Sequence, residues 1–382
     1  MRIAVFDHFV VPTSPSGKCI LYMLEGLCRE HEFTVFAARL ENPCPERILF
    51  VRIPVPLRPN VLRFVCYHLV APVTYWMHRL RTGARFDLVY VSDICLSFGE
   101  LNHAHFCNRS YLKHEWKQAR PRNLRGLAHW LNHWLRALME PHVFRRVRHI
   151  VVPSKGLERE LASEYAFASD KIHRIPNAID LGHMLPASDF DRVAFRKSIG
   201  LAPEQVVFVF VALGHFERKG LSVVLEALRV LGKLCVKLLV VGGPPDLVRG
   251  YRNRAQGLGV EGQVLFVGMQ EDVRPYLWAS DAFLFPSIYE IFPLVSLEAA
   301  AVGLPLLLTP LYGVEEFFRE GENGFRLERT PQGVAQGIRR FLQMSERERQ
   351  AMGARARESV RVFDVARFVH NWRDLLDTIE MR

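Results

Sequence analysis

Short apolar runs alternate with longer amphipathic stretches along the whole chain. Residues 2–6, 33–37, 86–91, 150–153 and 172–176 have the length and the β-branched or aromatic content of buried strands. Residues 20–30 and 156–165, lying between such runs, carry the 3.6-residue spacing of helices, and Ser154 stands where a helix cap is expected. Further on, residues 281–286 (DAFLFP) read as a short buried strand. Residues 294–302 then read as a helix opening right after Pro293. Strands interleaved with helices predict α/β architecture with parallel sheets.

Composition bounds this picture. With 382 residues, 49% of them hydrophobic and 24% charged, the chain suits two globular domains. No window reaches the ~18 consecutive apolar residues of a membrane span, and Asp7 with His8 interrupts what would otherwise be a signal sequence, so a cytoplasmic protein is expected. The seven cysteines include no C-x-x-C pair, so neither a disulfide framework nor a zinc site is indicated.

Charge is uneven: residues 1–180 hold a net +9 of the total +10. Within them, residues 61–76 followed by Arg79 and Arg81, and residues 120–148 with Trp130, Trp134, Arg136, Arg145 and Arg146, mix aromatic and basic positions. Such helices suit an anionic membrane surface, met peripherally; two ordinary amphipathic helices, buried on one face, give the same pattern. No nucleic-acid motif accompanies the basicity, so a nucleic-acid partner is not expected.

The sharpest chemical feature is the pair Glu290 and Glu298, separated as E-x7-E. The first falls in the loop after an apolar strand and the second about one turn into the next helix. The start of that helix favours a phosphate, through its free amides and dipole. Two carboxylates touching that anion would repel it, so they are better placed to accept hydrogen bonds from hydroxyls attached to the phosphate. A nucleotide sugar has hydroxyls on both sides of its diphosphate.

The stretch PSIYEIFPLVSLEAAAVGLP (286–305) resembles the motif of the family-4 retaining glycosyltransferases, with Ile291 where glycine is usual. Residues 207–221, ending in Lys219-Gly220, are similar to that family's strand–loop–helix. Residues 237–243 and 264–268 resemble the next two strands, and 312–316 and 322–325 the turns near its site. Asn177-Ala178-Ile179-Asp180 resembles the element leading into the interdomain linker, with Ala178 for glycine.

The resemblance implies the GT-B fold: two Rossmann-like domains facing across a cleft. Residues 1–180 would form the acceptor domain, 181–362 the donor domain, and 363–382 a helix crossing back to the first. It further implies a nucleoside-diphosphate-sugar donor and an acceptor hydroxyl, with Glu298 on the ribose hydroxyls and Glu290 on those of the transferred sugar. The F-x-R-K-G form of residues 216–220 looks like the branch that builds lipopolysaccharide cores and surface glycans, which gives a glycan or lipid-linked acceptor.

Cations for the diphosphate are Lys219 first and Arg218 second, His215 standing where the family commonly has arginine. The amides near Leu294 and Val295, on the Phe292-Pro293 turn, complete the donor site, and backbone near residues 267–269 is a candidate for the base. In the first domain, Gly17 is the candidate for close backbone approach to the donor. His105, with His103 as second choice, is the candidate to reach the reacting sugar; the two alternate, so a strand would turn both to one side.

Asp189-Phe190-Asp191, the chain's D-x-D, lies in a polar linker and not at a strand end, so no metal and no other cofactor is expected. Epimerases and hydrolases of nucleotide sugars share this architecture, and an inactive homologue would keep much of the pattern. The large basic, aromatic first half favours an acceptor, and hence transfer.

Overall fold

The computed structural model describes residues 1–119, 124–232 and 235–381. Arg120, at the head of the expected second basic helix, lies outside them. The chain forms two compact units, Met1–Ala178 with Val365–Arg382, and Ile179–Asp364.

In the first unit the elements are, in order, β1 (Arg2–Phe6), β2 (Phe9–Val10), α1 (Pro15–Leu27), β3 (Glu32–Ala37), β4 (Arg39–Leu40), β5 (Ile48–Arg52), α2 (Asn60–Thr82), β6 (Leu88–Ser92), β7 (Leu101–His103), α3 (Asn108–His114), α4 (Trp116–Ala119), α5 (Leu124–Arg146), β8 (His149–Val152), α6 (Lys155–Glu164) and β9 (Ile172–Arg174). Seven strands make one parallel sheet in the order β5-β3-β1-β6-β7-β8-β9. The chain lays β3 and β5 on one side of β1, then crosses over and lays β6 to β9 on the other. The direction of winding therefore switches between β1 and β6, which leaves a crevice at the carboxyl ends of those two strands.

Parallel strands covered on both faces need continuous apolar runs, and β6 (LVYVS) is buried at every residue. Phe6, Phe36, Tyr67, Ala71 and Tyr75 share the core between this sheet and α2. The helix α1 starts earlier than its apolar spacing suggests: Ser14 accepts from the Gly17 amide at 3.3 Å and Pro15 takes the first helical position.

The second unit contains α7 (Arg192–Ser198), β10 (Val206–Val211), α8 (Leu221–Leu231), β11 (Val236–Val241), α9 (Pro245–Gly257), β12 (Val264–Gly268), α10 (Arg274–Trp278), β13 (Ala282–Phe285), α11 (Leu294–Ala301), β14 (Leu306–Leu308), β15 (Gly324–Arg326), α12 (Pro331–Gln343) and α13 (Glu346–Ser359). Its parallel sheet runs β12-β11-β10-β13-β14-β15, so here the switch falls between β10 and β13. Buried Arg196, 2% exposed, ties α7 to the sheet, donating to the carbonyls of Ala279, Pro203 and Gln205 and to Asp281. Asp191 of the D-x-D accepts from the amides of Val193 and Ala194 at 2.9 Å, so its carboxylate caps α7.

The last helix, α14 (Val365–Glu380), belongs to the first unit, where it packs on α1. Its Trp372 is fully buried, 5.7 Å from the Tyr90 ring and 5.2 Å from that of His103.

Candidate functional site

In open parallel sheets, ligands sit at the carboxyl ends of the strands where the winding reverses. In the second unit that place is flanked by the loop after β10, which carries Arg218 and Lys219, and the loop after β13, which carries Ser287 and Glu290. The two loops meet there. Lys219 donates from Nζ to Glu290 Oε1 at 2.7 Å, Ser287 Oγ donates to the same oxygen at 2.9 Å, and Arg218 Nη2 lies 3.9 Å from it. The Lys219 and Glu290 side chains are 15% and 12% exposed. Lys219 also stands 4.9 Å above the centre of the Phe285 ring.

Burial pushes the Glu290 carboxyl up, but Lys219 and then Arg218 overcome this and hold it below the ordinary carboxylate range. Burial pulls the Lys219 ammonium down, and Glu290 partly restores it. The pair is thus a largely desolvated ion pair with a second cation beside it.

Backbone contacts fix the loops against each other. The Arg218 carbonyl accepts from the Ile288 amide at 3.0 Å. Gly220, at φ +87°, passes so near the second loop that a Cβ would lie 2.2 Å from the Pro286 carbonyl oxygen. Arg329 then bridges them, donating to the Pro286 carbonyl at 3.1 Å and to the Glu217 carbonyl at 3.0 Å. Ser287 stands three residues before Glu290, in the stretch 286–305 that carries the family resemblance; Arg329, more than thirty residues beyond Glu290, has no motif to reveal it.

The helix α11 begins beside this cluster. Among the described residues no side chain caps it, and no acidic residue occupies its first turn, so the amides near Leu294 and Val295 keep the orphan character of helix starts. Glu298 is half-buried one turn further along. Phe292 and Ile291 are each 6% exposed, and Phe292 turns its ring into the core, 5.6 Å from the Phe363 ring. His215, in the loop after β10, has φ +54°, an uncommon conformation for a non-glycine residue.

Gly17 and His105 belong to the first unit. At Gly17, the expected point of close backbone approach, a Cβ would lie 2.3 Å from the Phe9 carbonyl oxygen and 2.8 Å from the Val11 amide. This glycine lets α1 press against the loop after β1. His103 ends β7 and His105 lies just beyond it, their rings 4.0 Å apart. His103 is 1% exposed and shares a 2.6 Å hydrogen bond with the Tyr90 hydroxyl. The His105 side chain is 14% exposed, its Nδ1 4.0 Å from Asp93 Oδ1, and its amide donates to that oxygen at 2.7 Å. Burial lowers both imidazoles, His103 further, so they favour the neutral form. Asp93 follows β6 at the switch of this unit, with φ +47°; a non-glycine residue at positive φ there is a signal no sequence pattern carries.

A polar depression of about 650 Å³ lies at the other, amino end of the first sheet, bordered by Arg2, Glu30, Glu32, Arg47 and Asp87. Arg2 and Glu32 pair there at 3.0 Å, and Glu30 pairs with Arg373 of α14 at 2.7 Å.

Comparison with known proteins agrees with the topology. Residues 191–359 match the family described as glycosyl transferases group 1, and residues 16–183 match glycosyltransferase family 4. The lipopolysaccharide core biosynthesis glycosyltransferase LpsE of Rhizobium meliloti (strain 1021) is 37% identical over 136 residues, covering 35% of this chain and 38% of that protein. The chain spans about half the length, or less, of the curated relatives it matches. Among solved structures, the lipopolysaccharide glycosyltransferase WaaG superposes with a TM-score of 0.78 at 19% identity, covering 98% of this chain and 99% of that one. HepE of Anabaena, solved with UDP-glucose, does so with 0.74 at 18% identity, covering 99% and 100%. With both Rossmann-like units matched in order along the sequence, the chain belongs to the family-4 glycosyltransferases of GT-B fold.

Proposed function

We propose that this protein is a retaining, metal-independent glycosyltransferase of surface-polysaccharide or lipopolysaccharide synthesis. It takes a sugar from a nucleoside diphosphate and joins it to a hydroxyl of a glycan or lipid-linked acceptor, at the cytoplasmic face of a membrane. The observation that carries this reading is the Lys219–Glu290–Ser287 cluster at the switch point of the second sheet, beside the uncapped start of α11.

In this reading the acceptor oxygen bonds to the anomeric carbon, on the face the diphosphate leaves, as the bond from that carbon to the diphosphate breaks; the departing diphosphate takes the electron pair and its oxygen accepts the proton of the acceptor hydroxyl. Charge grows on the leaving oxygen, and fixed donors aimed at it lower the barrier. Lys219, with Arg218 beside it and the α11 amides, supplies them. Glu290 and Glu298 accept from hydroxyls on the two sides of the diphosphate, and His105 is the residue of the first unit proposed to reach the reacting sugar. The UDP-glucose held by HepE and the core biosynthesis named for LpsE support the choice of donor class and pathway type.

A thermal-shift panel of UDP, GDP, ADP, CMP and their sugars tests it, because a ligand that binds only the folded state raises Tm by mass action. One nucleotide should stabilise the wild type and lose that effect in Glu298→Ala and Lys219→Met. Absence of any shift at saturating ligand would leave the donor site without support.

A further inference from the structure

The helix α2 is apolar on two opposite faces. Phe64, Tyr67, Ala71 and Tyr75, at helical spacing, are buried on the sheet. On the other side Leu62, Val65, Leu69, Val73, Trp76 and Leu80 form an equally regular stripe that is 41–84% exposed. The neighbouring α5 repeats the design, with Leu127, Trp130, Leu131, Trp134 and Leu138 at 37–69% exposure and the two tryptophans stacked 5.9 Å apart. The helices pack on each other, and Arg136 of α5 lies 4.6 Å above the Phe64 ring of α2.

An apolar surface of this extent is abnormal for a chain that meets only water. Its charge shows what covers it. Between Asn60 and Thr82 there is no Asp or Glu, and between Leu124 and Arg146 there is only Glu140. That carboxylate is fully buried, accepting from the Asn108 and Arg109 amides and the Tyr165 hydroxyl. Arg58, Arg81, Arg85, Arg145 and Arg146 are exposed around the stripes, and Arg79 lies 4.7 Å above Trp76.

From this juxtaposition we infer that the outer faces of α2 and α5 form a two-ridge surface that lies in the headgroup layer of an anionic lipid bilayer. The leucines and valines enter the acyl boundary, the tryptophans sit at the headgroup level, and the arginines pair with lipid phosphates. A second copy of the chain fits poorly, since a two-fold contact would set arginines against arginines. Among the described residues no helix is long and apolar enough to cross a membrane, so the helices rest in the plane of the surface. This names the surface behind the membrane-side acceptor proposed above, yet vesicle binding requires no donor, so the two proposals fail separately.

The test is co-sedimentation of the full chain with vesicles of equal parts phosphatidylglycerol and phosphatidylcholine, against phosphatidylcholine alone. Binding is expected to the first, to fall with salt, and to drop at least about tenfold in Leu69→Glu/Leu80→Glu, whose outward side chains leave the core untouched. Leu138→Glu on α5 should weaken it independently, and unchanged Tm and circular dichroism would show that both variants fold. Equal binding to the two vesicle types, or full binding by folded variants, overturns the inference. So does a wild-type dimer that the same variants turn into monomers without any vesicle binding.

Discussion

Asp7 shows how strongly one position at a switch point can be loaded. It directly follows β1, is 5% exposed, and accepts from the Phe9 amide at 2.8 Å. Burial pushes its carboxyl from 3.8 up to about 6; Ser92 and the Phe9 amide pull it down, while Asp93 adds to the rise. The folded state therefore holds a proton on this residue that the unfolded chain has already lost between about pH 4 and 6. The associated stability is complete below the lower value and is lost as pH rises through the upper one. A shift of this size corresponds to about 3 kcal/mol. Asp7→Asn, which keeps an acceptor but not the charge, should remove that slope. Urea unfolding of both proteins from pH 4 to 7 should show the wild type losing about 3 kcal/mol relative to the variant; parallel curves would mean that the site relaxes or admits water.

At the scale of elements, the meeting of the β10 and β13 loops depends on Gly220. Alanine there meets two costs: a left-handed conformation worth about 1–2 kcal/mol, and a Cβ that would collide with the Pro286 carbonyl. Gly220→Ala should lower stability by at least about 2 kcal/mol and weaken nucleotide binding even though no side chain is lost. A variant of wild-type stability and affinity would show the loops to be less tightly joined. The same elements mark what was legible in the sequence. The two parallel α/β units follow from long apolar runs such as β1, β6 and β13, because strands buried on both faces leave an unbroken signature. The edge strand β5 escaped although Ile48–Val51 is a continuous apolar run, and β2 and β4 are two residues each. The start of α1 was written as Ser14-Pro15 but looked like a loop, because a turn and a capped helix share those residues. Glu290 and Lys219 each stand out in their motifs. Their mutual ion pair does not, for it depends on β10 lying beside β13, and seventy residues of intervening chain hide that adjacency.

At the scale of the whole molecule, order along the chain and order in space part company at the carboxyl end. The first unit is built from residues that open the chain and from α14, which closes it. Trp372 of α14 fills the space beside Tyr90 and His103; the Val369 side chain lies where a Cβ on Gly26 of α1 would stand, and Arg373 makes two 2.7 Å bonds to Glu30. The sheet whose strands β6 and β7 lead into Asp93 and His105 therefore lacks part of its packing without α14. Trp372→Ala would open a large cavity at that contact, at a cost of about 3–5 kcal/mol. Hydrogen exchange should locate the damage: faster exchange in β6, β7 and α1, with β10 to β15 near their wild-type rates, because each unit has its own core. Equal acceleration in both sheets would instead mean that the chain unfolds as one cooperative body.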